Sequence, residues 1–596
     1  MRHARAVLLL ALLGLLALPA GAHAHAVLQS TEPLSGATEK RLPEQIVFKF
    51  SEPVEGSFGA IRVFDRGGAR VDAGEVFHPN GRGPELATKL KPGLAKGSYT
   101  ATYRVISADS HPVSGGLVFS YGKATATGAT VSELLSQQGN VGEVTQVAFG
   151  AARGTQYASI AVAVGTVFFL IALWLPALAL VAGGSSQWRE ASERFATGVR
   201  TALIAAVVAG VLSGIAGIAL QGATAAGVSF WSALDSQIVG DVLDTRFGTV
   251  WGIRILVWVG LGAVLLGALS PARRPVLRPA SVGATGLAPP RFGRAALALL
   301  AVPLGFLVIS PALAGHASLE KPAAVLVPAN AVHVLAMSIW VAGLVLLLLV
   351  LPRATRRLEP PDRTRLLAAT LGRFSPVAFV AVTAILVTGL LQSWFEVEKL
   401  DNLLDTAFGR SALIKFGLLV GPLMALGAYN QRRLLPRLRR AATAGATPAR
   451  DGVLLRRSIR TEVALLAVVL GVTAALVSYA PSGSVSSGPQ STTASLGPAD
   501  LQLTVDPARV GPNEMHVYLT DKQTGGQYDR VKEMNVDLVL PEEKLGPLKA
   551  ETRKAGPGHY VMNGALFGVA GDWEVKVTAR VSEFDAYFTT LKVGID

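Results

Sequence analysis

Eight apolar stretches, each long enough to cross a bilayer core of roughly 30 Å, restrict this chain more than any other feature. They lie near 156–183, 199–226, 248–269, 294–314, 326–352, 374–395, 411–430 and 461–481. In hydrocarbon every peptide group needs an internal partner, so such stretches fold as helices. The connecting segments test the arrangement. The four expected inside (185–200, 270–294, 353–373 and 430–462) hold 23 Arg and Lys against 6 Asp and Glu, and the three expected outside (228–246, 315–329 and 394–410) hold 4 against 8. This is the asymmetry that orients membrane proteins, and it puts both ends of the helical unit outside. The net charge of +14 is thus an orientation signal. The bilayer is the expected partner and nucleic acid is not.

The flanks read differently. Residues 1–24 carry Arg2 and Arg5, an apolar run from Ala6 to Leu18, and Ala22-His23-Ala24, the three parts of a cleaved secretory signal. Cleavage after Ala24 makes His25 the N-terminus. Over 25–122, Ile46, Phe48 and Phe50 alternate with polar positions, as do Tyr99, Ala101, Tyr103 and Val105, and Gly and Pro punctuate the runs. Short strands so spaced predict an all-β Greek-key barrel or sandwich. Residues 123–150 read as a linker, 151–481 as the eight-helix bundle and 482–498 as a second linker. Alternation at Val536, Leu538 and Leu540 and at Trp573, Val575 and Val577 predicts a second β-sandwich over 499–596.

The helical unit repeats itself. Leu243-Asp244-Thr245-Arg246-Phe247-Gly248 matches Leu404-Asp405-Thr406-Ala407-Phe408-Gly409, with Arg254 and Lys415 at equivalent positions beyond. Recurrence four helices later implies a parallel 4+4 duplication. Arg254 and Lys415 either tune a pathway electrostatically or snorkel to the outer headgroups.

Cysteine is absent, so any metal is held by nitrogen, oxygen or thioether ligands. A free N-terminal histidine offers its α-amine and imidazole together. Asp109 and His111, two apart on extended backbone, point the same way. With His25 they make a tetragonal nitrogen/oxygen set suited to Cu(II); the bland alternative is a turn stabilised before Pro112. These residues resemble a known family. His25-Ala26-Val27-Leu28, Glu32-Pro33, Phe50-Ser51-Glu52-Pro53 and Ser107-Ala108-Asp109-Ser110-His111-Pro112-Val113-Ser114-Gly115 together resemble CopC, the periplasmic copper-binding β-barrel. The resemblance implies His25 (amine and ring), Asp109 and His111 as Cu(II) ligands. No methionine follows Met1 in this region, which argues against a separate Cu(I) site there, and His78 reads as a loop residue.

In the membrane unit, His316 and His333 sit at the outer ends of adjacent helices, and Met337 follows His333 on the same helical face. Ionisable residues at that depth default to function; the alternative is a pair of interfacial histidines. Gly315-His316-Ala317, His333 with Trp340-Val341-Ala342-Gly343-Leu344, and the Thr-x-Phe-Gly segments resemble CopD, the membrane partner of CopC. The resemblance implies copper handling, with His316, His333 and Met337 as candidate ion-receiving residues. Ser478-Tyr479-Ala480 replaces Gly-His-Ala in the second half. The C-terminal region resembles YtkA/FixH-like Ig-type modules through Val510-Gly511-Pro512-Asn513, Gly558-His559-Tyr560 and Gly571-Asp572-Trp573, with Met515, His516, His559 and Met562 as an accessory metal set or a coincidence.

The expectation is a copper-binding and copper-transport protein of the bacterial inner membrane, with both β-domains extracytoplasmic and copper and other periplasmic copper proteins as partners. It is not expected to be an enzyme, since no nucleophile–base arrangement, phosphate-cradling loop or HExxH motif occurs. Two alternatives stand. A haem-containing or copper-reducing electron-transfer protein would show a Soret band lost in His333→Ala. A copper buffer or sensor would bind copper in vesicles without accumulating it.

Overall fold

The computed structural model describes residues 26, 28–34, 37–56, 60–107, 112–123, 125, 131, 134–135, 142–183, 185–268, 294–318, 322–397, 402–476, 490–506, 508, 510–524 and 527–595. They form a helical unit and a strand-rich unit.

The N-terminal strands are β1 (Leu28–Glu32), β2 (Thr38–Glu39), β3 (Gln45–Phe50), β4 (Val54–Glu55), β5 (Ile61–Phe64), β6 (Asp72–Phe77), β7 (Glu85–Leu90), β8 (Gly97–Ser107) and β9 (Pro112–Tyr121). One sheet runs β1-β3-β7-β6 and the other β2-β9-β8-β4, with β5 paired to β8. The alternation read in β3 and β8 points Ile46, Phe48, Phe50, Tyr99, Ala101, Tyr103 and Val105 into one core. There Tyr103 packs at 5.0 Å from Phe48 and 5.2 Å edge-on to Phe50, joining the two sheets. Each fully buried phenylalanine contributes roughly 1.5–3 kcal/mol of transfer free energy.

The long helices among the described residues are α1 (Glu143–Val181), α2 (Ser186–Ala226), α3 (Arg246–Ala268), α4 (Arg294–Leu313), α5 (Ala323–Ala354), α6 (Pro360–Val397), α7 (Ala407–Thr443) and α8 (Ala449–Leu476). All but α4 are long and apolar enough to cross a membrane. The expected span 294–314 corresponds to α4, whose apolar stretch Leu299–Leu313 is shorter and carries Pro303 and Pro311. Helices α1 and α5 cross closely. A Cβ on Gly165 would lie 2.0 Å from the Ser338 carbonyl oxygen and 2.5 Å from Ala342 Cβ, so only glycine permits the approach. Trp174 stacks on Phe195 at 3.7 Å in the same core.

Among the described residues four π-helical turns interrupt the bundle: Phe169–Trp174, Leu346–Val350, Leu419–Leu423 and Asn430–Leu434. Pro176, Pro352 and Pro436 follow three of them, and Pro422 lies inside the other. Proline lacks the N–H that closes an α-turn and its ring crowds the carbonyl four residues back, so the ladder widens there.

The duplication has a structural counterpart. Thr245 Oγ1 accepts from Gly248 N at 3.0 Å, and Thr406 Oγ1 accepts from Gly409 N at 2.9 Å. Each threonine caps the helix that follows, satisfying an amide that has no carbonyl partner.

The C-terminal strands are β10 (Gln490–Leu496), β11 (Ala499–Asp506), β12 (Gly511–Asp521), β13 (Glu533–Leu540), β14 (Leu545–Ala550), β15 (Arg553–Gly556), β16 (His559–Phe567), β17 (Gly571–Arg580) and β18 (Ala586–Ile595). They form two sheets, β10-β11-β12-β16-β15 and β14-β13-β17-β18, around a core that includes Trp573 edge-on to Phe567 at 5.1 Å.

Both linkers are shorter than the sequence suggests. Helix α1 starts at Glu143, inside the expected linker 123–150, and Val131 and Leu134 are helical and buried. The Ser/Gly/Thr/Gln composition masks apolar residues at helical spacing, which decide the outcome. The linker 482–498 gives way at Gln490 to β10, which pairs with β11 from Gln490↔Val505 to Leu496↔Ala499. Its Thr-Thr pair suits a half-buried edge strand, where polar composition does not mean loop.

Candidate functional site

His25, Asp109 and His111 lie outside the described residues, but their flanks are placed. Strand β1 begins at Leu28 opposite Phe50, where β3 ends. Two residues on, Glu52 accepts a hydrogen bond from Ser107 Oγ at 2.6 Å, and Ser107 pairs with Val54. Strand β8 ends at Ser107, and β9 begins at Pro112, which pairs with Ile106. The Phe50-Ser51-Glu52-Pro53 segment thus ties the start of β1 to the β8–β9 end of the sandwich. Ala26, next to His25, is buried in the same core. His78 is a loop residue whose Nδ1 bonds the Glu85 carbonyl at 2.7 Å.

In the membrane unit the structure builds a polar chain between α5 and α6. His333 Nδ1 lies 2.9 Å from Thr388 Oγ1. The Thr388 hydroxyl spends its hydrogen on the Ala384 carbonyl at 2.6 Å, so its oxygen accepts from His333 Nδ1–H. That selects the tautomer and leaves the lone pair on Nε2, the arrangement that metal-ligating histidines use. One turn toward the α5 N-terminus, Asn330 Nδ2 donates to Gln392 Oε1 at 2.9 Å, and Gln392 Nε2 donates to the Thr388 carbonyl at 3.0 Å. Asn330 Oδ1 is buried with no hydrogen-bond partner among the described residues. Lys415 interacts electrostatically with both His333 and Glu396.

Met337 packs against the helical core one turn beyond His333. The backbone of His316 forms a 3-10 turn, His316–Ser318, after α4, and its side chain lies outside the described atoms. The turn is held by Arg246, which donates to Ser318 Oγ at 2.6 Å, and by Ala317, packed with Leu326 near the start of α5 and Phe395 near the end of α6. His316 and His333 therefore belong to the same end of α5.

Asn330, Thr388 and Gln392 went unread in the sequence. Their signal was present: Asn330 and His333 are three apart and Thr388 and Gln392 four apart, so each pair shares a helical face in an otherwise apolar span. In the first half, Gln156 of α1 bonds Ser213 of α2 across 2.8 Å, so His333–Thr388 has a counterpart between the first and second helices there.

Arg254 does not snorkel. It is 1% exposed, donates from Nε to Ser310 Oγ at 2.9 Å and lies 4.7 Å over the Trp251 ring. The cation–π contact and the hydroxyl offset part of its desolvation.

The four C-terminal candidates are separated. Met515 and Met562 pair across β12–β16 and point into the sandwich core. His516 is adjacent to Met515 and so faces the other side of the sheet, with His516 Nδ1 3.2 Å from His559 Nε2 and Tyr518 stacked 4.4 Å from His559. The pleat divides the methionines from the histidines, so they do not form one ligand set. Among the described residues no group of three or more His, Asp or Glu is arranged to hold a metal ion.

Comparison with known proteins agrees with this layout. Residues 28–122 match the CopC domain family, 144–325 the N-terminal domain of copper resistance protein D-like proteins, and 368–476 copper resistance protein D. The chain is 28% identical over 587 residues to copper transport protein CutJ of Bacillus subtilis (strain 168), covering 96% of each. It is 25% identical over 288 residues to copper resistance protein D of Pseudomonas syringae pv. tomato, covering 47% of this chain and 84% of that one. Among solved structures it resembles CopC from Methylosinus trichosporium OB3b (27% identity, 16% of this chain, 93% of that one, TM-score 0.15) and the methionine-rich copper resistance protein PcoC from Escherichia coli (24%, 16%, 99%, 0.15). One polypeptide thus joins a segment similar to the CopC domain to segments similar to copper resistance protein D.

Proposed function

We propose that the protein captures Cu(II) at its extracytoplasmic N-terminal domain, through the His25 amine and ring, Asp109 and His111, and passes copper to the membrane unit for uptake. It acts as a carrier and not as an enzyme. His316 and His333 receive the ion at the outer end of α5, and Met337 offers a thioether one turn further in. With α4 counted as an eighth span both β-domains are read as extracytoplasmic, and the C-terminal sandwich is read as a YtkA/FixH-like Ig-type module.

The observation that carries this reading is the His333–Thr388 bond. It sets an imidazole with its Nε2 lone pair available inside an apolar bundle, where an unused polar group is costly. The fusion of the two domain types and the name of the CutJ relative support the same conclusion. The test is copper accumulation in cells: His333→Ala lowers cell-associated copper while Cu(II) affinity at the N-terminal domain is unchanged. Unchanged accumulation sinks the proposal.

A further inference from the structure

A cavity of about 270 Å³ lies between α5, α6, α7 and α8, toward the end of the bundle where the basic segment 430–462 begins. Its walls are mostly apolar, with Trp340 and Phe374 among them. Ser375, Thr383, Gln431 and Arg432 also reach the wall, and a buried acid–amide pair stands out against that background. Glu462 of α8 is 3% exposed and lines the cavity. Its Oε1 accepts from Asn430 Nδ2 at 2.5 Å and from Ser458 Oγ at 3.5 Å. Asn430 also lines the cavity, and its Oδ1 is buried with no hydrogen-bond partner among the described residues. Helices α5 and α6 bring no titratable side chain to the cavity, and Arg432 of α7 is the other charged group lining it. Among the described residues no cation pairs with Glu462.

Three of the four π turns border this space, contributing Leu347, Leu423 and the Asn430–Arg432 run to its wall. Such turns recur at functional sites, because a widened ladder leaves backbone free to adjust. A buried carboxyl in a membrane bundle is costly to keep and marks ion or proton pathways.

We propose that Glu462 is a proton-loading site that couples copper passage to proton movement; the proposal rests on the transport reading above. The Asn430 amide serves both protonation states. When Glu462 is ionised, Asn430 Nδ2 donates to it, as observed. When a proton from water on the inner side forms an O–H bond at Glu462, the carboxylate becomes a neutral acid. A half-turn of the amide then presents Oδ1, the acceptor left unused in the ionised arrangement, to that O–H. Release breaks the same O–H bond and returns the proton to water, and no electrons move.

The test uses the full-length protein in phospholipid vesicles loaded with a pH-sensitive dye and given radiolabelled copper, in parallel runs with and without ascorbate. Wild type is expected to move protons as copper moves. Glu462→Gln loses the proton movement yet retains copper–copper exchange, and Glu462→Asp retains both, showing that the fold is not at issue. Loss of exchange together with proton movement in Glu462→Gln places Glu462 in the copper path and overturns the proposal. Wild-type copper movement without protons overturns it too. Infrared difference spectra over a pH titration separate this failure from failure of the transport reading. A carboxylic-acid band present in wild type and missing in Glu462→Gln supports proton loading even in vesicles that move no copper. A spectrum with no such band at any pH refutes it.

Discussion

Replacing Thr388 with valine tests the membrane site at its most specific contact. Valine keeps the shape of threonine and removes one oxygen, which both accepts from His333 Nδ1 at 2.9 Å and donates to the Ala384 carbonyl at 2.6 Å. The carbonyl keeps its place in the α6 ladder, so the main loss is the imidazole's partner. Interhelical hydrogen bonds in membrane proteins are worth about 0.6 kcal/mol on average and about 1.7 at most, so the bundle survives. With His333 as the proposed copper ligand, metal binding is affected more. Without the Thr388 oxygen the ring is left with the Ile385 backbone as its partner, and losing such an orienting partner costs roughly 10–100-fold in metal affinity. That is about 1.4–2.7 kcal/mol. The assay is competition between detergent-purified protein and a Cu(I) chelator under ascorbate, for wild type, Thr388→Val, Thr388→Ser and His333→Ala. Serine restores the acceptor and is expected to bind like wild type. If Thr388→Val binds copper as tightly as wild type while His333→Ala does not bind, the tautomer argument is wrong.

Three further outcomes are expected. Gly165→Ala forces α1 away from the Ser338 carbonyl, and overpacking of this kind costs about 1–3 kcal/mol, read as a lower midpoint for thermal unfolding in detergent. N-terminal sequencing of the mature chain begins at His25, and one extra alanine before it weakens Cu(II) binding by moving the amine off the chelate. Burial pushes His516 down to about 4 and His559 down to about 3, the latter helped by repulsion from His516 and Arg553. Both are therefore neutral in the folded state while unfolded histidines protonate near 6.5, so their contribution is complete above that pH and is lost as pH falls toward 4 and 3. Circular dichroism of the strand-rich unit is expected to show acid unfolding that His559→Phe reduces, and an unchanged acid midpoint counts against the linkage.

Much of the fold is legible because its signals are local. Apolar runs with charged connections mark the helices, since a peptide group in hydrocarbon has no other partner. Alternation in Ile46-Val47-Phe48-Lys49-Phe50 marks a strand because the pleat has period two. The Thr-x-Phe-Gly repeat shows as two matching caps because the Thr–Gly contact spans three residues. Composition misled at 123–150 and 482–498, where a helix start and an edge strand are as polar as a linker.

By itself, then, the sequence determined the helical spans, the strands of the sandwiches, and His333 as an ionisable group inside the bundle. Only tertiary structure decided what that histidine meets, because its partner Thr388 is 55 residues away on another helix. The same holds for Glu462 and Asn430, 32 residues apart, and for Arg254 and Ser310, 56 apart. Helical periodicity states which face a side chain occupies, but which two faces meet is set by packing, such as the close crossing that Gly165 permits. In the C-terminal domain the pleat had the last word: Met515 and His516 are neighbours in sequence and lie on opposite sides of the same sheet.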